Sequence, residues 1–282
     1  MKKLISGIFF ILSASVFSQS DLTFDKGFIQ SENKWITMPA DSSNTYMFGF
    51  VYIDTQAGLM FHYGGSFKVD DKKRYIVDPD ETTSVNFKQR IGIGNGLKIA
   101  FIPESRFEEL KITSTPDWLT IYQGGDPVRR LYGQGYTYNA WSACEKALEF
   151  LEKAYKINPD YDGLATELAF SYNCLQNYPK SIVVLEKALK KEPLNAYTNK
   201  ELIYALAKNG TPEKAEIICR KVLKDCPDKS YNTENIYSVL HGYFLKKDTA
   251  KFTKWLKEHQ SQLAENKDFM VHVEGMKKEL KL

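Results

Sequence analysis

The residues able to do chemistry are few and scattered. The four histidines, His62, His241, His259 and His272, sit in no H-E-x-x-H and have no neighbouring carboxylate pattern, so no metal site is written locally. The acidic run Asp70-Asp71, Asp78 and Asp80-Glu81 could hold calcium, but it lacks the D-x-D-x-D-G order and reads as two solvated loops. Gly92-Ile-Gly94-Asn-Gly96 resembles a phosphate loop only faintly, without its lysine or the helix that should follow. No G-x-S-x-G elbow, Walker loop or kinase signature appears. The chain therefore points to no cofactor and no metal, and a catalytic group could only be assembled from distant residues.

The four cysteines fall in the second half, with no C-x-x-C, which sets aside a zinc ribbon or a thioredoxin-type motif. Cys144 and Cys174 lie 15 residues either side of Pro159. Two antiparallel helices joined there would bring them level, either as a disulfide or as buried thiols. Cys219 and Cys226 are seven apart, about 10 Å along one helix and too far to bridge unless it ends early.

The elements that must position these residues change in kind along the chain. Lys2 and Lys3 precede an apolar run, then small Ser18 and Gln19, the layout of a secretory signal peptide over 1–18. It predicts a periplasmic or secreted protein, not spanning a membrane after signal cleavage. Beyond Ser18, 36 Lys and Arg face 35 Asp and Glu, a balance that argues against nucleic acid as a partner. With 43% apolar residues the chain can bury a proper core.

Residues 19–123 carry period-two runs rich in aromatic and β-branched types, at 35–38, 45–54, 58–63, 66–70, 74–77, 84–91 and 97–103. Seven short strands predict an antiparallel β-sandwich or barrel-like domain. Asn95-Gly96 predicts a hairpin pairing the strands of Ile91 and Ile99. Ser105 and Glu108 read as a capping box. Apolar Trp118 to Tyr122 is assigned to the seam between the halves, and Asp126 and Pro127 open the first long helix.

From there the period is helical. Predicted pairs run 128–141 with 142–157, 162–175 with 178–191, 196–208 with 212–225, and 231–245 with 248–261. A lysine-rich capping helix within 262–282 completes an α+β multidomain chain. Asn209-Gly-Thr-Pro-Glu213 reads as a C-capping glycine and an N-capping threonine. Pro159, Pro193 and Pro227 close helical segments at intervals of 34 residues. In the repeat beginning at Asp162, Leu168, Ala169 and Tyr172 are followed by Ser181, Leu185 and Ala188. The repeat ending at Pro159 has Gly135, Tyr138, Ala147, Leu151 and Ala154; the one ending at Pro227 has Ile203, Leu206, Ala215, Cys219 and Val222.

Period and pattern resemble the tetratricopeptide repeat over residues 124–261. The resemblance implies an α-helical solenoid that binds a protein or peptide in the groove lined by the first helix of each pair. Carried onto this chain, its contact positions are Gly163, Thr166, Phe170 and Asn173, then Tyr197, Lys200, Tyr204 and Ala207, then Tyr231, Glu234, Ser238 and His241. Phe170, Tyr197, Tyr204 and Tyr231 would make an aromatic stripe, either open to a peptide or packed between helices. The family's clamp for a terminal carboxylate is not matched, since Tyr132, Tyr136, Glu167, Tyr197 and Glu201 stand in its places. The implied role is an exported, non-catalytic interaction or assembly factor. The rival readings are an envelope-polymer enzyme using the repeats as a docking arm, and a purely structural repeat module.

Overall fold

The computed structural model describes residues 21–78 and 87–282. The expected signal peptide, Asp80-Glu81 and the start of the 84–91 strand lie outside the described residues. The N-terminal part is an open antiparallel sheet of β1 (Lys34–Thr37), β2 (Tyr46–Asp54), β3 (Gly58–Val69), β4 (Tyr75–Val77), β5 (Lys88–Arg90) and β6 (Ala100–Phe101). Its order is β4-β3-β2-β1-β6, with β5 also pairing with β3, and it does not close on itself.

Two expectations about the strands are corrected. The runs at 58–63 and 66–70 are one strand, because a register shift opposite Phe48 and Gly49 lets β3 bend without breaking its ladder. Asn95-Gly96 is not a hairpin turn: β5 pairs with β3 and β6 pairs with β1. Ile91 and Ile99 are both buried, each fixed by a different partner, Ile91 donating to the Leu59 carbonyl of β3 and Ile99 exchanging bonds with Lys26, outside the named strands. Those separate anchors pull the 92–98 segment open, and it turns through Gly94 at φ +82°.

Strand alternation sends two sets of side chains to opposite faces. Ile36, Val51, Ile53, Leu59 and Phe61 share a core with Val128, Tyr138, Leu151, Leu164 and Tyr172 of the helical half. Trp35, Phe48, Phe50, Tyr52, Phe67 and Tyr75 face the other way, against Leu110 and Leu119. Trp118 and Tyr122 belong to that second face: the Trp118 ring lies 5.1 Å from Tyr52 and 4.2 Å from His62. The segment over 118–122 is therefore not the seam. It is a turn and a short helix, α1 (Thr120–Gln123), whose Trp118 and Tyr122 rings lie on the sheet face opposite the one that packs on the helices, and whose end meets α2 where Arg130 donates to the Gln123 carbonyl. The expected Ser105 cap is also absent, since Pro103 precedes the turn at Glu104–Arg106, and Arg106 reaches out to Asp21 at 2.6 Å and Glu109 at 3.0 Å.

The helices are α2 (Pro127–Ala140), α3 (Cys144–Ile157), α4 (Leu164–Cys174), α5 (Tyr178–Leu189), α6 (Ala196–Lys208), α7 (Pro212–Asp225), α8 (Asn232–Leu245), α9 (Thr249–Leu263) and α10 (Lys267–Leu280). Asp126 caps α2 by accepting from the Val128 amide at 2.9 Å, with Pro127 in the first turn. Thr211 does not cap α7; its hydroxyl donates backward to the Leu206 carbonyl at 3.0 Å and so closes α6 instead. Helices α2, α4, α6 and α8 lie side by side, each joined by its odd-numbered partner to the next. Helix α10 packs on α8 and α9, where the next even-numbered helix of the series would stand.

The seam is built around α2. A side chain at Gly133 would come within 2.8 Å of Thr55 at the end of the β2–β3 turn, and one at Gly135 within 2.4 Å of Leu151. The two glycines let α2 sit against the sheet and α3 at once. Glu32 fixes the contact, accepting from the Tyr138 hydroxyl and from Gln134 Nε2 at 3.1 Å. Burial and Glu32 together push the Tyr138 phenol up.

Candidate functional site

Helices α4, α6, α8 and α10 together line one cavity of about 460 Å³. Helix α4 supplies Phe170 and Asn173, α6 supplies Lys200 and Tyr204, and α8 supplies Glu234 and His241. With Ala207 and Ser238, eight of the twelve expected contact positions come together, because residues 34 apart occupy equivalent places on successive helices. Tyr197 and Tyr231, by contrast, are not among its lining residues; their rings lie tilted against one another, centroids 5.7 Å apart. Lys200 lies over both rings, at 5.1 and 5.8 Å. Thr166 is buried and shares a hydrogen bond with Thr198 at 2.7 Å, and with Gly163 it lines a separate cavity beside Tyr161 and Lys187.

Four further residues of the cavity wall carry no mark in the repeat pattern: Tyr237, Phe269, Lys208 and Cys174. Tyr237 follows Glu234 by three residues and precedes His241 by four, a helical spacing that puts all three on one face. Lys208 follows Tyr204 by one turn and lies over its ring at 5.7 Å. Phe269 stacks flat on Tyr237 at 4.4 Å, but it belongs to α10, outside the 34-residue register. Its place at the end of the cavity is set by tertiary packing alone.

The polar groups divide into two sets. Lys200 is tied to Glu201 at 2.7 Å and stands 3.8 Å from Glu234. Burial works against its ammonium, but Glu201 and then Glu234 outweigh it and hold the pKa above the usual lysine value. Across the cavity, burial lowers the pKa of Lys208. Burial, the Lys208 charge and His272 bring His241 down to about 4, so its imidazole is neutral at pH 7.

Asn173 is held by a second device. Its Nδ2 donates to the Glu201 carboxylate at 2.8 Å and to the Glu201 carbonyl at 3.2 Å. One repeat earlier Asn139 does the same to Glu167, with both distances 2.9 Å. These four residues are buried. In the earlier rung Ser171 completes the set, its hydroxyl donating to Asn139 Oδ1 at 2.7 Å. The residue equivalent to Ser171 is Ala205, and Asn173 Oδ1 is left buried without a partner. A third rung is lost altogether: Ala207 replaces the asparagine, Asn235 replaces the glutamate, and the Asn235 amide is unpaired. Burial raises the Glu167 carboxyl, against the pull of Asn139.

The disulfide joins Cys144, at the start of α3, to Cys174, at the end of α4, with Cα atoms 6.3 Å apart. Cys144 is buried and Cys174 is exposed. Cys219 and Cys226 are free and buried. Among the described residues no cluster of His, Cys, Asp and Glu is arranged to hold a metal, and no helix is long and apolar enough to cross a membrane. Searches against protein-family models, curated proteins and solved structures find no match to this chain.

Proposed function

We propose that this chain is an exported, non-catalytic binding or assembly protein whose helices form a tetratricopeptide-like array holding a protein or peptide partner. The observation that carries this reading is the convergence of Phe170, Tyr204, Tyr237 and Phe269 on one cavity with both charged and apolar walls. Aromatic anchors in a concave site, with polar groups at fixed places, are what peptide recognition uses. The signal-like N-terminus supports export to the periplasm or beyond. The disulfide is consistent with an oxidising compartment.

The sheet fits this reading as an N-terminal cap. Solenoids need their terminal apolar faces covered, and the sheet covers that of the first helix pair with Val51, Ile53, Leu59 and Phe61. This shared core also favours a second reading, in which the repeats serve to brace the sheet and bind nothing.

Capture from an envelope extract with the chain from Gln19 onward separates the two. Tyr237→Ala and Tyr204→Ala together should weaken capture of a partner by about tenfold or more, the scale of one hot-spot aromatic, measured at a temperature where circular dichroism shows the variant folded, since Tyr237 also packs on Phe269. Full capture by a folded double mutant would remove the groove from the reading. Absence of any specifically captured protein would favour the bracing role.

A further inference from the structure

The two lysines of the cavity have opposite circumstances. Lys200 is already neutralised between Glu201 and Glu234. Lys208 has no carboxylate within ion-pair distance among the described residues; its near neighbours are the Tyr204 ring at 5.7 Å and neutral His241. A partly buried ammonium facing only an aromatic ring and an uncharged imidazole is an incomplete pair. Lys200 and Lys208 stand eight residues apart on α6, about 12 Å along its axis, and Phe170, Ala207, Tyr237 and Phe269 supply the apolar wall of the same cavity.

We propose that the cavity selects peptide segments in which an aspartate or glutamate stands next to a large apolar side chain, the apolar group seated on Tyr237 and Phe269 and the carboxylate paired with Lys208. This rests on the peptide-binding reading above. Charge sets the direction: Glu201 and Glu234 repel a carboxylate at one end, and Lys208 attracts it at the other. Size agrees, since about 460 Å³ is within the range of ligand sites and has room for one large side chain together with a short acidic one. The contact differs from a terminal-carboxylate clamp, so a peptide blocked at both ends should bind.

The test pans a random dodecapeptide library displayed on phage against the full chain from Gln19 onward. The strongest binder is then synthesised with an acetylated N-terminus and an amidated C-terminus. Enriched peptides should carry an acidic residue within two positions of phenylalanine, tryptophan, tyrosine or leucine. Lys208→Gln should weaken the capped peptide about tenfold or more, and Lys208→Arg should restore most of the binding, with both variants melting like the parent. Binding should also weaken as salt is raised. Enriched peptides that lose binding with Tyr237→Ala but carry no acid, or are indifferent to Lys208→Gln, would overturn the carboxylate pairing and leave the groove standing. Peptides indifferent to Tyr237→Ala, or no enrichment, would overturn the groove itself and this inference with it. If N-acetylphenylalanine competes as strongly as the peptide, the site takes a small aromatic acid and the peptide assignment is wrong.

Discussion

Replacing Ala205 by serine should stabilise the protein, although Ala205 is fully buried and alanine is the better helix former. The rung one repeat earlier supplies the geometry: Ser171 Oγ reaches Asn139 Oδ1 at 2.7 Å and the Glu167 carbonyl at 3.3 Å. Shifted by 34 residues, a hydroxyl at 205 meets Asn173 Oδ1 and the Glu201 carbonyl. The first of these is a buried acceptor with no partner now. A made hydrogen bond is worth about 1 kcal/mol net, and relieving a buried orphan adds to it. Against that stand about 0.5 kcal/mol of helix propensity and the small volume of one oxygen. The balance is a gain of about 1 kcal/mol, or a melting point higher by roughly 2–4 °C in a chain of this size. Urea unfolding followed by circular dichroism would show it as a higher midpoint with an unchanged slope. The reciprocal change, Ser171→Ala, should create the same orphan at Asn139 and cost about 1–2 kcal/mol. If Ala205→Ser is neutral or destabilising, or Ser171→Ala costs nothing, the equivalence of the rungs fails.

The Cys144–Cys174 bond closes a separation of 30 residues, and loop-closure entropy makes its removal cost about 3–4 kcal/mol; Cys144→Ser with Cys174→Ser, unfolded in urea without reductant, should show that loss. His241 has its pKa lowered to about 4 from an ordinary 6.5 by burial, Lys208 and His272. Its contribution to stability is therefore complete above pH 6.5 and lost as pH falls toward 4, where the unfolded chain takes up the proton first. Stability measured across that window should fall less steeply in His241→Gln, and an NMR titration placing the wild-type imidazole near 6.5 would contradict this. Trp118→Ala should cost about 3 kcal/mol and speed amide exchange in β2 and β3 while leaving α6 to α9 protected; loss of protection there would restore it to the seam.

The helices were legible because two signals coincide in them, the 3.6-residue apolar period and the punctuation of Pro159, Pro193, Pro212 and Pro227. That Cys144 and Cys174 come level was legible for the same reason, since the position of the turn fixes which residues face each other; that they are bonded and not two buried thiols was left open by the sequence and comes from the structure. Strand partners were not. Ile91 and Ile99 read as one hairpin from local sequence, but Ile91 is held by Leu59 of β3 and Ile99 by Lys26 near the N-terminus, and no local pattern says so. Trp118 and Tyr122 show how a sheet with two covered faces defeats assignment of sides: apolar residues are needed on both, and only register decides. Within the cavity, Phe170 and Tyr204 follow from the repeat, whereas Phe269 comes from a helix with no register to it.

The order in which this core is made differs from the order in which it is completed. Ile36, Val51, Ile53 and Phe61 leave the ribosome well before Leu151, Leu164 and Tyr172, the residues that will cover them. During that interval the nascent sheet has a bare aromatic and aliphatic face and no finished partner, the condition under which strands stick to other chains. A fragment ending near Gln123 should therefore be insoluble when made alone. The shortest soluble fragment should extend beyond α4, the first point at which Leu151, Leu164 and Tyr172 are all present to cover the sheet.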